Sequence, residues 1–177
     1  DSKGAYHSIK LSPESRDYTA FVSPIGLFCF ICTPGNPSGT VIDEETLEYL
    51  INKANEFDFW LASDECYSEI YRNTPPPGLL EVCAQMGHRD YSQCLVFHSL
   101  SKRSNLPGLR SGFVAGDASF IAPFLKYRTY HGCSMSMAVQ KASELAWSDE
   151  DHVIVNRGLY AEKFQAAADI LGEQLDS

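Results

Sequence analysis

The chain has 177 residues, of which 44% are hydrophobic, enough for a globular domain with a sizeable apolar core. It has no uninterrupted apolar run near the roughly 18 residues of a membrane span, which argues against a membrane protein. Its net charge of -9 argues against a nucleic-acid-binding surface, since phosphate backbones are held by clustered Lys and Arg.

Six cysteines lie mostly in apolar stretches, without the spacing of a disulfide scaffold or a zinc site. We therefore expect reduced thiols, a cytoplasmic location and no bound metal. Cys29 and Cys32 have the CxxC spacing of a redox motif, but LFCFIC is typical of a buried strand, so we favour a structural interpretation. The N-terminal DSKGAYHSIK has neither a charged leader nor an apolar segment and predicts no secretory signal.

Apolar runs and turn signals predict alternating strands and helices, the pattern of a mostly parallel sheet covered by helices. The predicted strands cover residues 27–31, 59–62, 94–97 and 113–115. The predicted helices cover residues 43–57, 79–86, 118–130, 137–147 and 151–171. Asp43 is the predicted N-cap of the first helix. His98 and His152 show no partner pattern, and we interpret them as structural or exposed.

Polar residues follow three of the predicted strands, at the strand ends where ligands collect in open α/β sheets. Each has an ordinary explanation when taken alone, namely a turn, a helix N-cap or a solvated charge. Together they predict a single crevice. The residues are Asn36 in TPGNPSGT, Asp64 and Tyr67 in SDECY, and Ser99, Lys102 and Arg110 in HSLSKRSNLPGLRSG.

A pyridoxal phosphate site needs an amine, an anion at the ring nitrogen, hydrogen bonds to the phenolate and donors for the phosphate. Lys102 supplies a candidate amine, and Asp64 a charge that keeps the ring nitrogen protonated. Arg110 and Ser99 are candidates for the phosphate. Asn36 and Tyr67 are candidates for the phenolate oxygen. The set as a whole predicts pyridoxal 5'-phosphate as the cofactor.

SLSKRSNLPGLRSG, TPGNPSG and SDECY resemble motifs of the class I/II, fold-type I aminotransferases that depend on pyridoxal phosphate. The resemblance implies an α/β three-layer sandwich with a mostly parallel sheet, and a cis peptide bond between Asn36 and Pro37. It implies that Lys102, Asp64 and Tyr67 are catalytic. Ser111 departs from the aliphatic residue that the family usually has there.

HSLSKRSNLPGLRSGFVAGD, ASDECYSEIY and YRTYHGC look most like bacterial N-succinyldiaminopimelate aminotransferases of lysine biosynthesis. This resemblance implies a homodimer that moves an amino group between amino acids and 2-oxo acids, 2-oxoglutarate among them. Lys102 would carry the proton between the substrate and cofactor carbons. Neither nucleic acid nor membrane is an expected partner.

Family members are about twice as long as this chain, in line with two-domain subunits. We expect a fragment in which residues 1–150 form the second half of the cofactor-binding large domain. Residues 151–177 would form the helix that connects it to a small domain. The Gly/Ser/Ala-rich helix start, the ring-stacking aromatic and the C-terminal arginine of the family have no counterpart in this sequence.

Two alternatives stay open at the level of sequence. One is a carbon-sulfur lyase of the same fold, which would use the same lysine and aspartate. The other is a non-catalytic fragment that binds partners, although a binding module does not need a lysine, an aspartate, a tyrosine and an arginine at these spacings.

Overall fold

The computed structural model describes residues 20–23, 26–132 and 134–175 of the chain. These residues form two compact units. The first contains the residues up to Glu65, Pro76–His98 and residues 113–132, and the second contains Cys66–Pro75, Ser99–Gly112 and residues 134–175. The predicted division into a large-domain part and a connecting helix after residue 150 stays a prediction.

A five-stranded sheet runs in the order β1 to β5. Strands β2, β3 and β4 are parallel, whereas β1 pairs with β2 in the antiparallel sense. The mostly parallel sheet and all four predicted strands are confirmed, whereas β1 was not predicted. The strands are β1 Ala20–Ser23, β2 Gly26–Cys32, β3 Phe59–Asp64, β4 Cys94–Ser99 and β5 Gly112–Gly116.

Six helices are present in the described residues, and five of them match the predicted ones to within four residues at either end. They are α1 Glu44–Phe57, α2 Leu79–Gln85, α3 Leu100–Arg103, α4 Ala118–His131, α5 Met137–Ser148 and α6 Asp151–Leu175. Asp43 caps α1 as predicted, because its carboxylate accepts a hydrogen bond of 2.8 Å from the amide of Thr46. Helix α3 was not predicted, since one turn carries no periodicity.

The core of the first unit lies between one face of the sheet and helices α1 and α2. Residues of β2, β3 and β4 alternate between the two faces, so every second side chain meets these helices. Leu47, Ile51 and Ala54 of α1 lie in this core. The other buried members are Leu61, Leu79, Val82, Cys83, Cys94 and Val96.

Aromatic side chains cover the opposite face of the sheet in the first unit. Phe28 and Trp60 are register partners on β2 and β3, with ring centroids 6.4 Å apart. Phe120 of α4 lies 6.1 Å from Phe28 and 5.1 Å from Trp60. Helix α4 therefore forms a third layer, which confirms the predicted three-layer arrangement within this unit.

The second unit contains α3, α5 and α6. The guanidinium of Arg103 is nearly buried, donates a hydrogen bond of 2.7 Å to the carbonyl of Ala146 and forms an ion pair with Glu150. It also lies 5.1 Å from the ring of Trp147. Arg103 thus ties the end of α3 to the end of α5. Across the described ranges, no helix combines the length and the apolarity that a membrane crossing requires.

The CxxC pair is not a disulfide site. Cys29 and Cys32 lie in one strand, where three residues span about 10 Å and the two side chains point to opposite faces. Disulfides need Cα atoms within about 7 Å of each other. The five described cysteines are thiols, and Cys133 lies outside the described residues.

Candidate cofactor site

The Asn36 turn leaves the carboxyl end of β2 in the first unit. Its peptide bond to Pro37 is cis, as predicted, and the bond from Thr33 to Pro34 is cis as well. The turn is closed by hydrogen bonds of 2.8 Å from Gly35 N to Thr40 O and 2.7 Å from Gly39 N to Gly35 O. Asn36 itself is exposed, at the edge where a ligand of the sheet is expected.

Asp64 ends β3 beside this turn. Its carbonyl accepts a hydrogen bond of 3.0 Å from Thr33 N, and Cys32 is its register partner. Burial raises the pKa of the Cys32 thiol, the backbone amide of Asn36 opposes that rise and the Asp64 carboxylate adds to it. The Asn36 backbone amide and the Asp64 carboxylate both affect the Cys32 thiol. Asn36 and Asp64 therefore lie at the same edge of the sheet.

The buried Glu65 and the half-buried His98 form a pair that the sequence did not reveal. The Glu65 carboxylate accepts a hydrogen bond of 2.9 Å from Leu79 N at the start of α2, and its second oxygen lies 3.4 Å from His98 Nε2. Glu65 therefore accepts a hydrogen bond from the first turn of α2, fourteen residues further along the chain. His98 has a defined partner, and its ring also lies 5.0 Å from that of Phe113.

Lys102 and Tyr67 come together in the second unit. Lys102 is the third residue of α3, and its Nζ lies 5.5 Å from the centroid of the Tyr67 ring. Both residues are half-buried. A cation at this distance over an aromatic face is attracted by the ring quadrupole. An amine and a phenol are thus adjacent in the second unit.

Ser99 and Leu100, at the start of α3, contact the backbone of Ser111 further along the chain. Ser99 is the N-cap of the helix: its hydroxyl accepts from Ser101 N at 3.1 Å and lies 3.3 Å from the carbonyl of Ser111. Leu100 N also donates to that carbonyl, at 3.1 Å. The buried Ser111 therefore contributes its backbone carbonyl to two contacts at the start of α3.

Arg110 takes the left-handed conformation, with φ 53° and ψ 36°, after the short 3-10 turn Pro107–Leu109. One of its guanidinium nitrogens donates to the carbonyl of Pro107 at 2.9 Å. The residue is exposed, so the rest of the planar fork faces solvent. An exposed guanidinium of this kind can bind an anionic ligand such as a phosphate.

Helix α6 holds the loop that carries Tyr67. Arg157 Nε donates to the carbonyl of Glu69 at 3.1 Å, and its guanidinium forms an ion pair with the Glu69 carboxylate. The same guanidinium stacks 4.2 Å from the ring of Tyr71. These contacts were not predicted, because Arg157 lies 88 residues after Glu69 and no sequence pattern joins them.

The six predicted site residues thus fall into two groups. Asn36 and Asp64 belong to the first unit, and the other four belong to the second. Their assignment to a single cofactor stays a prediction. Within the ranges that the structure describes, no three His, Cys, Asp or Glu side chains cluster as metal ligands would.

The sequence model of the aminotransferase class I and II family matches residues 24–177. The chain belongs to this family. An aminotransferase of Neisseria meningitidis Z2491 with a solved structure is 54% identical, with a TM-score of 0.77 over 81% of this chain and 37% of that one. The predicted family and the fold-type I architecture are confirmed.

Two curated relatives cover similar parts of the chain. A probable aminotransferase of Mycobacterium tuberculosis is 33% identical over 81% of this chain and 34% of its own length. An LL-diaminopimelate aminotransferase of Nitratidesulfovibrio vulgaris is 32% identical over 76% of this chain and 34% of its own length. The chain therefore spans about a third of the length of the curated relatives it matches.

Pyridoxal 5'-phosphate is the cofactor of this family. The second unit offers chemistry that fits it: a half-buried primary amine beside a phenol, and an exposed guanidinium in the loop that Ser99 closes. The first unit carries Asp64 and Asn36 at one edge of the sheet. Each unit, taken by itself, therefore carries side chains of the kinds that bind this cofactor.

Proposed function

We propose that this chain carries the cofactor-binding residues of a pyridoxal-phosphate-dependent aminotransferase. The observation that carries the proposal is the Lys102 amine, half-buried and 5.5 Å from the ring of Tyr67. Most lysines extend into solvent, where the side chain keeps its rotamer freedom. A lysine held on a one-turn helix against a phenol fits a covalent attachment site.

Each of the other predicted residues has a role in this proposal. Asp64 keeps the ring nitrogen protonated through its negative charge. Tyr67 and Asn36 donate to the phenolate oxygen, and Arg110 and Ser99 bind the phosphate. When bound, the cofactor acts as an electron sink for a carbanion at the substrate carbon. Once the substrate amine has displaced it from the cofactor, the free Lys102 Nζ would be the base that moves the proton.

The substrate assignment rests on resemblance. We propose an N-succinylated diaminopimelate as amino donor and 2-oxoglutarate as acceptor, in lysine biosynthesis. The motif likeness around Lys102 supports this, as does the diaminopimelate in the name of the Nitratidesulfovibrio vulgaris relative. We further propose that the protein acts in the cytoplasm as a homodimer.

The attachment is tested by adding pyridoxal phosphate to the purified chain, recording its absorbance spectrum, reducing with borohydride and mapping the modified peptide. We expect a bound-cofactor band and an adduct on Lys102. The variant Lys102→Arg keeps the charge and should lose both. Lys163→Arg is the matched control, since Lys163 also lies over a tyrosine ring, 4.8 Å from Tyr160, but is exposed.

Glutamate then separates the reaction classes. Transamination converts the bound cofactor to its aminated form and releases 2-oxoglutarate, whereas a carbon-sulfur lyase releases ammonia and a 2-oxo acid from a sulfur amino acid.

In the borohydride experiment, an adduct spread evenly over Lys102 and Lys163 would overturn the assignment of the attachment site.

A further inference from the structure

The end of the helix that carries Lys102 is held by a side chain from α6. The amide nitrogen of Asn156 donates to the carbonyl of Lys102 at 3.1 Å and to that of Arg103 at 3.3 Å. Helix α3 has four residues, so its last carbonyls lie beyond the reach of its own amides. One side-chain amide with two N–H donors satisfies both carbonyls.

The residue type at position 156 is explained by this contact. Asn lies in the interior of α6, where it is a poorer helix former than Ala. One turn earlier, His152 Nε2 lies 2.8 Å from the hydroxyl of Ser104, the C-cap of α3. Residues 152 and 156 lie on one face of a helix, so this face of α6 contacts the end of α3 at two successive levels.

The next residue along α6 holds the other partner of Lys102. Arg157 binds the carbonyl and the carboxylate of Glu69, two residues after Tyr67. Consecutive residues of one helix therefore fix the lysine segment and the tyrosine segment. The segments that carry the Lys102 amine and the Tyr67 ring are thus both held by α6.

We propose that Asn156 is a positioning residue, which fixes the Lys102 amine by hydrogen bonding to the carbonyls at the end of α3. This rests on the proposed role of Lys102 in holding the cofactor. Asn156 acts through the backbone of α3 and has no direct role in the chemistry. Its loss should release the segment and let the amine leave the face of the Tyr67 ring.

The test measures the reactivity of the Lys102 amine without cofactor. The chain is pulse-labelled with acetic anhydride, and the acetylation rate of Lys102 is divided by that of Lys163. Asn156→Ala removes both donors while favouring α6, because Ala is the better helix former. Asn156→Asp keeps the volume and sets a carboxylate against two carbonyl oxygens. Circular dichroism establishes that each variant is folded at the labelling temperature.

Matched controls come from α1. Asn55 also donates from a helical asparagine side chain to a backbone carbonyl, that of Ile51 at 3.0 Å, in the first unit. Asn55→Ala and Asn55→Asp make the same chemical changes away from Lys102. If Asn156→Ala lowers the folded fraction, Asn156→Gln, which keeps both donors on a longer side chain, is compared with Asn156→Asp instead.

We expect Asn156→Ala to raise the Lys102 to Lys163 ratio by about two- to tenfold, the range for a lost hydrogen bond. Asn156→Asp should raise it further, and the Asn55 variants should leave it unchanged. A space-filling role would instead leave the isosteric Asp variant at the wild-type ratio. Ratios for the Asn156 variants within the spread of the Asn55 variants would overturn the proposal. The adduct on wild-type Lys102 tests the proposed function separately.

Discussion

The Nζ of Lys102 and the ring of Tyr67 are 5.5 Å apart, with the phenol and the amine on neighbouring segments of one compact unit. The two residues are 35 positions apart in the sequence, and each is held by its own contacts. Lys102 sits on a helix capped by Ser99, and Tyr67 opens a turn in which Ile70 N donates to its carbonyl at 2.9 Å. The contributions of the Tyr67 ring and of its hydroxyl to cofactor binding can be measured separately.

Tyr67→Phe keeps the ring below the amine and removes only the hydroxyl. We expect the Lys102 adduct to form but the affinity for pyridoxal phosphate to fall by about tenfold or more, because a hydrogen bond to a charged group is worth about 1.5–3 kcal/mol. Absorbance titration with the cofactor measures this. Tyr71→Phe removes a hydroxyl from a neighbouring ring and should leave the affinity unchanged. Equal affinities for the two variants would contradict the role of Tyr67.

The buried Glu65 carboxylate should matter for stability. Glu65→Ala leaves Leu79 N without its acceptor and removes the carboxylate beside His98, and we expect the free energy of unfolding to fall by about 2–4 kcal/mol in urea titrations. Glu81 is the matched control, because it is exposed and its carboxylate accepts from Gly78 N at 3.4 Å at the start of the same helix. Glu81→Ala should cost about 0.5 kcal/mol. A similar loss in both variants would show that burial of Glu65 adds nothing.

Sequence patterns predicted the elements whose periodicity extends over several residues. Helix α6 shows this: regular helix was predicted up to residue 171, and Gly172 has non-helical dihedral angles, with φ 1° and ψ -93°. The six candidate site residues followed from motifs that lie at strand ends. What the sequence did not reveal was pairing across long separations, as between Glu65 and His98 or Asn156 and Lys102. Such contacts depend on the packed positions of two segments, which no local pattern encodes.

Asp117 should make the free energy of unfolding fall at low pH. It is the N-cap of α4 and is nearly buried, accepting hydrogen bonds from Ser119 N at 2.7 Å and Gln93 N at 2.8 Å. Burial acts to raise the pKa of Asp117, but hydrogen bonds from the Ser119 side chain and from nearby backbone amides outweigh it and lower the pKa below its usual range. A lowered pKa gives stability that is present above the unfolded-state value of about 3.9 and is lost as the pH falls through the folded-state value.

We therefore expect Asp117→Asn to lower the melting temperature at neutral pH and to weaken its fall below about pH 4. Thermal melts between pH 3 and 7 would show this. Asp43→Asn is the comparison, since hydrogen bonds from Thr46 also lower the pKa of Asp43 but the side chain is exposed. Its effect should have the same direction and a smaller size because solvent screens it. A parallel acid loss in Asp117→Asn and wild type would exclude this contribution.

Gly116 ends β5 at a point where no side chain fits. Its φ is +138°, and an added Cβ would lie 2.0 Å from the carbonyl oxygen of Cys94. That carbonyl accepts a hydrogen bond of 3.0 Å from Asp117 N, so it cannot move away without loss of the bond. Gly116→Ala combines backbone strain with overpacking, and we expect a loss of about 3 kcal/mol in the free energy of unfolding.

Gly158→Ala tests the same substitution where it should help. Gly158 lies inside α6, and an added Cβ meets nothing within 4 Å. Ala in a helix interior is better than Gly by roughly 0.5–1 kcal/mol, so the melting temperature should rise. If Gly116→Ala lowers the stability and Gly158→Ala raises it, the loss at residue 116 comes from the local clash with Cys94 and not from replacing a glycine in general. If Gly116→Ala were tolerated as well as Gly158→Ala, the close contact between residue 116 and the Cys94 carbonyl would be wrong.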